Sequence, residues 1–188
     1  MSGWKVDILT IFPEMFPGPL GISIAGKALE RGLWTFETTD IRDFADDKHN
    51  TVDDTPCGGG PGMVMRADVI DSALSSISEI GDRPVVYLTP RGKTFDQKMA
   101  RDFADGPGII FVCGRYEGID ERFLDMHKPH QASLGDFVLS GGEPAAIAII
   151  DCCIRHIPGI LGDKESLSEE SFERGLLEYP HYTRPQLW

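Results

Sequence analysis

Short unbroken apolar runs, each feeding a loop and then a helical pattern, constrain this chain more than any other feature. Val6–Phe12 (VDILTIF), Pro84–Leu88 (PVVYL) and Gly108–Cys113 (GIIFVC) carry little polar alternation. Runs of that length without alternation predict strands buried on both faces. Pro13 closes the first of them. Thr35–Ile41 alternates as a strand does, and Ser133–Leu139 reads as a further strand. Between them lie helical patterns: Ile22–Leu33, Arg66–Ile77 (with Val69, Ile70, Leu74 and Ile77 on one face), Asp96–Ala104, Ile119–Met126 and Pro144–Ile157, the last ending at Pro158-Gly159. Such alternation predicts an α/β fold, a mostly parallel sheet with helices on both faces. Ligands in that architecture bind beyond the carboxyl ends of the strands.

At 188 residues the chain fits one compact domain with a small appendage. Residues 1–162 form that domain in this reading, and the charged, Ser-rich Asp163–Arg174 begins a linker or lid that runs on through 163–188. The longest apolar helix is too short to span a bilayer, and Met1–Phe12 lacks the basic start of a signal peptide. A cytoplasmic protein with no membrane partner is expected. Cys57, Cys113, Cys152 and Cys153 contain no CxxC pair, so they read as reduced, mostly buried thiols and no metal site is expected. A net charge of −12 and a pI near 4.7 exclude wrapping the whole molecule in nucleic acid. Arg83, Arg91, Lys93, Lys98 and Arg101 leave room only for a local basic patch.

Three loops hold most of the candidate chemistry. Thr51–Met65 (TVDDTPCGGGPGMVM) has a backbone able to approach a ligand closely, but lacks the Gly-Lys-Ser/Thr of a phosphate loop. Gly114–Arg122 (GRYEGIDER) follows a buried strand and mixes an aromatic with both signs of charge; Arg115–Glu117 and Asp120–Arg122 are alternatively plain surface ion pairs. Ser133–Pro144 (SLGDFVLSGGEP) ends on a helix start, where Glu143 and Pro144 suit the first turn. A cap explains those two residues and leaves Gly135, Gly141 and Gly142 unexplained. None of the three is the GxGxxG of a dinucleotide fold.

Read in order, LTIFPEMF, KHNTVDDTPCGGGPGM, LTPRG, CGRYEGIDER, LGDFVLSGGE, IPGILG and EYPHYTRP run through the whole chain. Together they resemble the bacterial tRNA (guanine-N1-)-methyltransferases of the SPOUT superfamily. The resemblance implies a SPOUT-type α/β knot, with a deep trefoil in the C-terminal half. It implies S-adenosyl-L-methionine bound against Tyr87, Leu88, Thr89 and Pro90, against Gly114, Tyr116, Glu117 and Gly118, and against Ser133, Leu134, Gly135, Asp136, Phe137, Val138 and Leu139. Gly141, Gly142 and Pro144 complete that set, while Gly59, Gly60, Pro61 and Asp120 would face the substrate. It also implies tRNA as partner and a homodimer whose active sites are shared between subunits. The family continues past EYPHYTRP into a small helical tRNA-gripping domain, of which this sequence carries only the start.

Methylating guanine N1 requires removal of its proton, and a positioned carboxylate serves as general base. Losing that proton moves negative charge onto O6, where a guanidinium stabilises it. By resemblance the base is Glu170 in EESF, where the family usually has Asp, and the guanidinium is Arg155 in CCIRHIPG. On its own residues Glu170 is an ordinary linker charge and Arg155 a helix-end cation. Cys57 departs from the family's usual Tyr. Competing readings are a SPOUT enzyme of other specificity, a catalytically impaired cofactor- or RNA-binding homodimer, and a purely structural dimerisation domain.

Overall fold

The computed structural model describes residues 3–161 and 180–185. Five strands form one sheet in the order β2-β1-β6-β5-β7, every neighbouring pair parallel. They are β1 (Trp4–Thr10), β2 (Trp34–Asp40), β5 (Val85–Thr94), β6 (Gly108–Cys113) and β7 (His130–Ser133). The remaining two, β3 (Asp53–Asp54) and β4 (Val64–Met65), make a small antiparallel hairpin. Among the described residues α1 (Ser23–Glu30), α2 (Ala67–Ser75), α3 (Gln97–Ala104) and α4 (Glu121–His127) lie between strands, and α5 (Glu143–Ile154) follows β7.

The unbroken apolar strands are explained by cover on both faces. Successive residues of a strand point to opposite sides. In β6, Ile109, Phe111 and Cys113 pack with Ala100 and Phe103 of α3 and Ile149, Ile150 and Cys153 of α5. Ile110 and Val112 pack instead with Val69, Ile70 and Leu74 of α2 and Phe123 and Leu124 of α4. All six residues of β6 are buried. Each fully buried aliphatic side chain contributes about 1.5–3 kcal/mol, so two such layers account for most of what holds the sheet. No described helix is long and apolar enough to cross a membrane.

Two expectations are corrected. Strand β7 ends at Ser133, and residues 134–139 form a loop rather than a strand. Ser133 Oγ donates to the Gly135 carbonyl at 3.0 Å and the Phe137 N–H donates to the same oxygen at 2.9 Å, which turns the chain off the sheet. Strand β5, by contrast, runs on through Pro90 and Gly92 to Thr94 by way of an irregularity in its pairing with β7. Gly92 lies so close to the Gln131–Ala132 backbone that any side chain there would collide.

The basic patch is not assembled as expected. Arg83 is buried and paired with Asp7 on β1, Arg91 pairs with Glu121 at 2.9 Å, and Lys98 pairs with Asp102 at 2.6 Å. Two thiols, Cys113 and Cys153, are buried as read, Cys152 is half-buried, and Cys57 is exposed.

Candidate functional site

Beyond the carboxyl ends of β5 and β6 the chain encloses a cleft of about 1200 Å³. Its floor is Tyr87–Arg91 of β5, one wall is Gly114–Arg122, and another is Phe137–Gly142 with Ser133 and Leu134. The hairpin contributes Asp54–Cys57 and Val64–Asp68 on the far side. The volume slightly exceeds the roughly 300–1,000 Å³ of ordinary small-molecule sites.

The wall after β6 is held in an unusual backbone path. Tyr116 has φ of 57°, the left-handed region disfavoured for a bulky residue. Its neighbours fix it there: the Glu117 N–H donates to the Met63 carbonyl at 2.9 Å and the Met65 N–H donates to the Gly118 carbonyl at 2.9 Å. Held this way, the Tyr116 ring stays half exposed in the cleft rather than joining the core. Beneath it the Tyr87 ring fills the space a side chain would need, since a Cβ on Gly114 would sit 2.8 Å from Tyr87 Cε2. Burial pushes the Tyr87 phenol above its ordinary range.

The third loop interlocks with that wall. The Gly142 N–H donates to the Gly114 carbonyl at 3.0 Å, and a Cβ on Gly142 would meet Cys113 Cα at 2.8 Å. Phe137, Val138 and Leu139 stay exposed, 54%, 82% and 37%, so an apolar triplet lines a cleft instead of a core. Glu143, the first residue of α5, is fully buried. It pairs with Arg115 at 2.8 Å and accepts a hydrogen bond from Thr10 Oγ1 at 2.7 Å. Burial first, and then the Glu143 carboxylate, push the Cys113 thiol well above its usual range.

The hairpin loop behaves differently. Gly58, Gly59, Gly60 and Gly62 have φ of 93°, 86°, 133° and 85°, conformations that side chains rarely adopt. A Cβ at Gly58 or Gly59 would meet no atom within 4 Å. Only the foot is tied down, where Gly62 faces the Glu117 side chain and Met65 bridges Ile119.

The family model described as tRNA (Guanine-1)-methyltransferase TrmD matches residues 4–188. A relative from Rhodospirillum rubrum named tRNA (guanine-N(1)-)-methyltransferase is 60% identical over 98% of this chain and 77% of its own length. Relatives of the same name from Gluconobacter oxydans and Rhizobium johnstonii are 54% and 53% identical, over 98% and 100% of this chain and 79% and 77% of theirs. The chain belongs to the tRNA (guanine-1)-methyltransferase family.

For a member of this family the cleft gathers most of the expected cofactor residues. Tyr87, Leu88, Thr89, Pro90, Gly114, Tyr116, Glu117, Gly118, Ser133, Leu134, Phe137, Val138, Leu139, Gly141 and Gly142 all line it. Gly135 and Asp136 line a smaller adjoining hollow with Phe137 and Val138, and Pro144 is the second residue of α5, outside both linings. Of the substrate candidates, Asp120 lines the cleft, while Gly59, Gly60 and Pro61 stand off it at the hairpin tip. Asp120 is also the cap of α4, accepting from the Arg122 N–H at 2.9 Å and pairing with its guanidinium at 2.6 Å; that guanidinium holds its carboxyl below the usual range. The Asp120–Arg122 ion pair is therefore formed, at the edge of a cleft that Asp120 also lines.

Arg115 turns to Glu143 rather than to Glu117, the partner that the alternative surface-pair reading gave it. Arg155 caps the carboxyl end of α5, whereas the cleft lies at the amino end. Twelve residues of helix separate the two ends by about 18 Å, and Arg155 does not line the cleft. Glu170 lies outside the described residues. Thr10 and the buried role of Glu143 were missed by sequence reasoning. The available signal was an acid at a helix start following two glycines, which a surface cap explains equally well.

Proposed function

We propose that this chain transfers a methyl group from S-adenosyl-L-methionine to N1 of the guanosine 3′ of the anticodon in tRNA, position 37. One observation carries the reading: of the motifs that resemble the family, those at 48–63, 88–92, 113–122 and 134–143 supply most of the cleft's lining. The residues present fit this donor. Glycine-rich walls expose backbone N–H and carbonyl groups suited to a polar nucleoside, Tyr116 and Phe137 offer exposed aromatic faces, and the Glu117 carboxylate offers a counter-charge to a cation. When bound, S-adenosyl-L-methionine supplies an electrophilic methyl on a sulfonium. The cleft's volume leaves room beside the donor for an unstacked base, whose extrusion costs a few kcal/mol.

The chain's own groups then act on the guanine. Glu170 takes the N1 proton as general base, and Arg155 stabilises the negative charge that moves to O6. The walls hold the base in line, which contributes much of the remaining rate. Arg155's place at the opposite end of α5 from the cleft supports a homodimer in which each active site draws on both subunits. The trefoil threading, the division into 1–162 and 163–188, and a cytoplasmic location belong to the same proposal.

The test is incubation of the protein with labelled S-adenosylmethionine and an unmodified tRNA transcript, followed by nucleoside mass spectrometry. N1-methylguanosine at position 37 is the expected product. Label on a ribose or another base would move the chain to a different specificity. Saturable donor binding without any product would leave a binding protein.

A further inference from the structure

Under the floor of the cleft, three polar side chains from distant parts of the chain meet in a dry environment. Glu143 and Thr10 are both fully buried, and neither lines the cleft. The Glu143 carboxylate accepts from Thr10 Oγ1 with Oε1 at 2.7 Å and faces Arg115 Nη2 with Oε2 at 2.8 Å. Thr10 Oγ1 in turn accepts from the Phe12 N–H at 2.9 Å. Arg115 does line the cleft, and its side chain is 16% exposed. Its Nη1 donates to the Ser140 carbonyl at 3.2 Å, its guanidinium carbon stands 4.4 Å from the Phe12 ring centre, and its Nε packs against Gly141.

Two features set this cluster apart from ordinary core packing. The pair is imperfectly satisfied: Arg115 Nε and Glu143 Oε2 are buried without an aligned hydrogen-bond partner. Buried polar atoms are nearly always paired, and a buried ion pair is often no more stabilising than apolar residues of the same volume. Stability alone is thus a poor account of it. Second, Arg115 reaches the Ser140 carbonyl while its own backbone belongs to the opposite wall, so its side chain sets the spacing of the two walls. The direct link between those walls is the Gly142–Gly114 hydrogen bond.

We propose that Glu143, seated by Thr10, is a positioning residue for the methyl-donor site, acting through Arg115 to fix the gap between the 114–118 and 140–142 walls. The inference rests on the reading of the cleft as the S-adenosylmethionine site. Glu143 touches neither donor nor tRNA; it holds the guanidinium that does the spacing.

The experiment is calorimetric titration of S-adenosylmethionine together with steady-state kinetics on the full chain and four variants. Glu143→Gln keeps an acceptor for Thr10 and removes the charge facing Arg115. It raises the donor Kd and the donor KM roughly tenfold, the loss of one charge-assisted contact, while kcat at saturating donor and the tRNA KM stay within about twofold. Thr10→Ser retains the wild-type donor affinity, and Thr10→Val weakens it by a few fold. Should Glu143→Gln fail to fold, the double variant Arg115→Met/Glu143→Leu decides, because apolar replacement of a buried pair preserves stability. It melts cooperatively and still binds the donor roughly tenfold more weakly. A folded Glu143→Gln or Arg115→Met/Glu143→Leu variant with wild-type donor affinity, or a loss falling on kcat or tRNA KM instead, would overturn the positioning role. Wild-type protein that fails to bind S-adenosylmethionine at all would overturn the underlying assignment, and this role with it.

Discussion

On one side of the cleft Gly114, Gly141 and Gly142 are pressed against other parts of the protein; on the other Gly58 and Gly59 face open space. The first group has no positive φ, so its glycines are demanded by proximity alone. The second group has only positive φ values and open space where a side chain would stand, so its glycines are demanded by backbone conformation. Glycine removes a side chain in the donor wall and frees a backbone in the hairpin. Close packing thereby fixes the 114 and 141–142 side of the cleft, while the hairpin tip lacks such packing.

Substitutions can break this contrast. Gly142→Ala should have the largest effect, because its Cβ meets Cys113 Cα, backbone that cannot rotate away. A loss of about 3 kcal/mol in a denaturant melt, with no measurable donor binding, is the expected result. Gly62→Ala comes next. It combines an unfavourable φ of 85° with a collision against the Glu117 side chain, and should weaken donor binding and tRNA turnover together in paired titration and kinetic assays. Gly59→Ala carries the strain alone, about 1–2 kcal/mol in the loop. Donor titration should be unchanged and tRNA turnover reduced several-fold; an equal loss of donor affinity would erase the distinction between the two walls.

The smallest effect concerns the foot of the hairpin. Asp47 accepts from the Thr51 and His49 N–H groups, which hold its carboxyl below the usual range. A lowered folded-state value means that its contribution is present above the ordinary carboxylate pKa, about 3.9, and fades as pH falls through the lower folded one. Amide exchange at His49 and Thr51 should therefore lose protection below roughly pH 4, while the donor wall stays protected. Uniform loss across both walls would contradict it.

The sheet was legible because β6, most of β1 and the Val85–Leu88 part of β5 carry apolar residues on both faces, in runs too short for helices. The strand misread at Ser133–Leu139 shows where that logic stops. Phe137, Val138 and Leu139 look like core and are exposed, since an apolar surface kept for a ligand has the same composition as one kept for a helix. The extension of β5 past Pro90 was hidden by a proline and a glycine that ordinarily end strands. The lining of the cleft was recoverable from the loop motifs. The Glu143–Arg115 pair was not, because local sequence cannot distinguish an acid that caps a helix from one that faces a cation brought in by the fold.

Thr10 and Glu143 stand 133 positions apart, and that separation bears on how the molecule comes into being. Contacts between distant segments form late, after the entropy of closing long loops has been met. Synthesis proceeds at about 5–20 residues per second, so the first strand waits several seconds for α5, and the donor wall lacks its brace until then. Completion of the brace thus reports that the first strand has met the last described helix. Any ligand that engages the finished cleft stabilises the entire sheet by mass action, and half-made chains gain nothing from it.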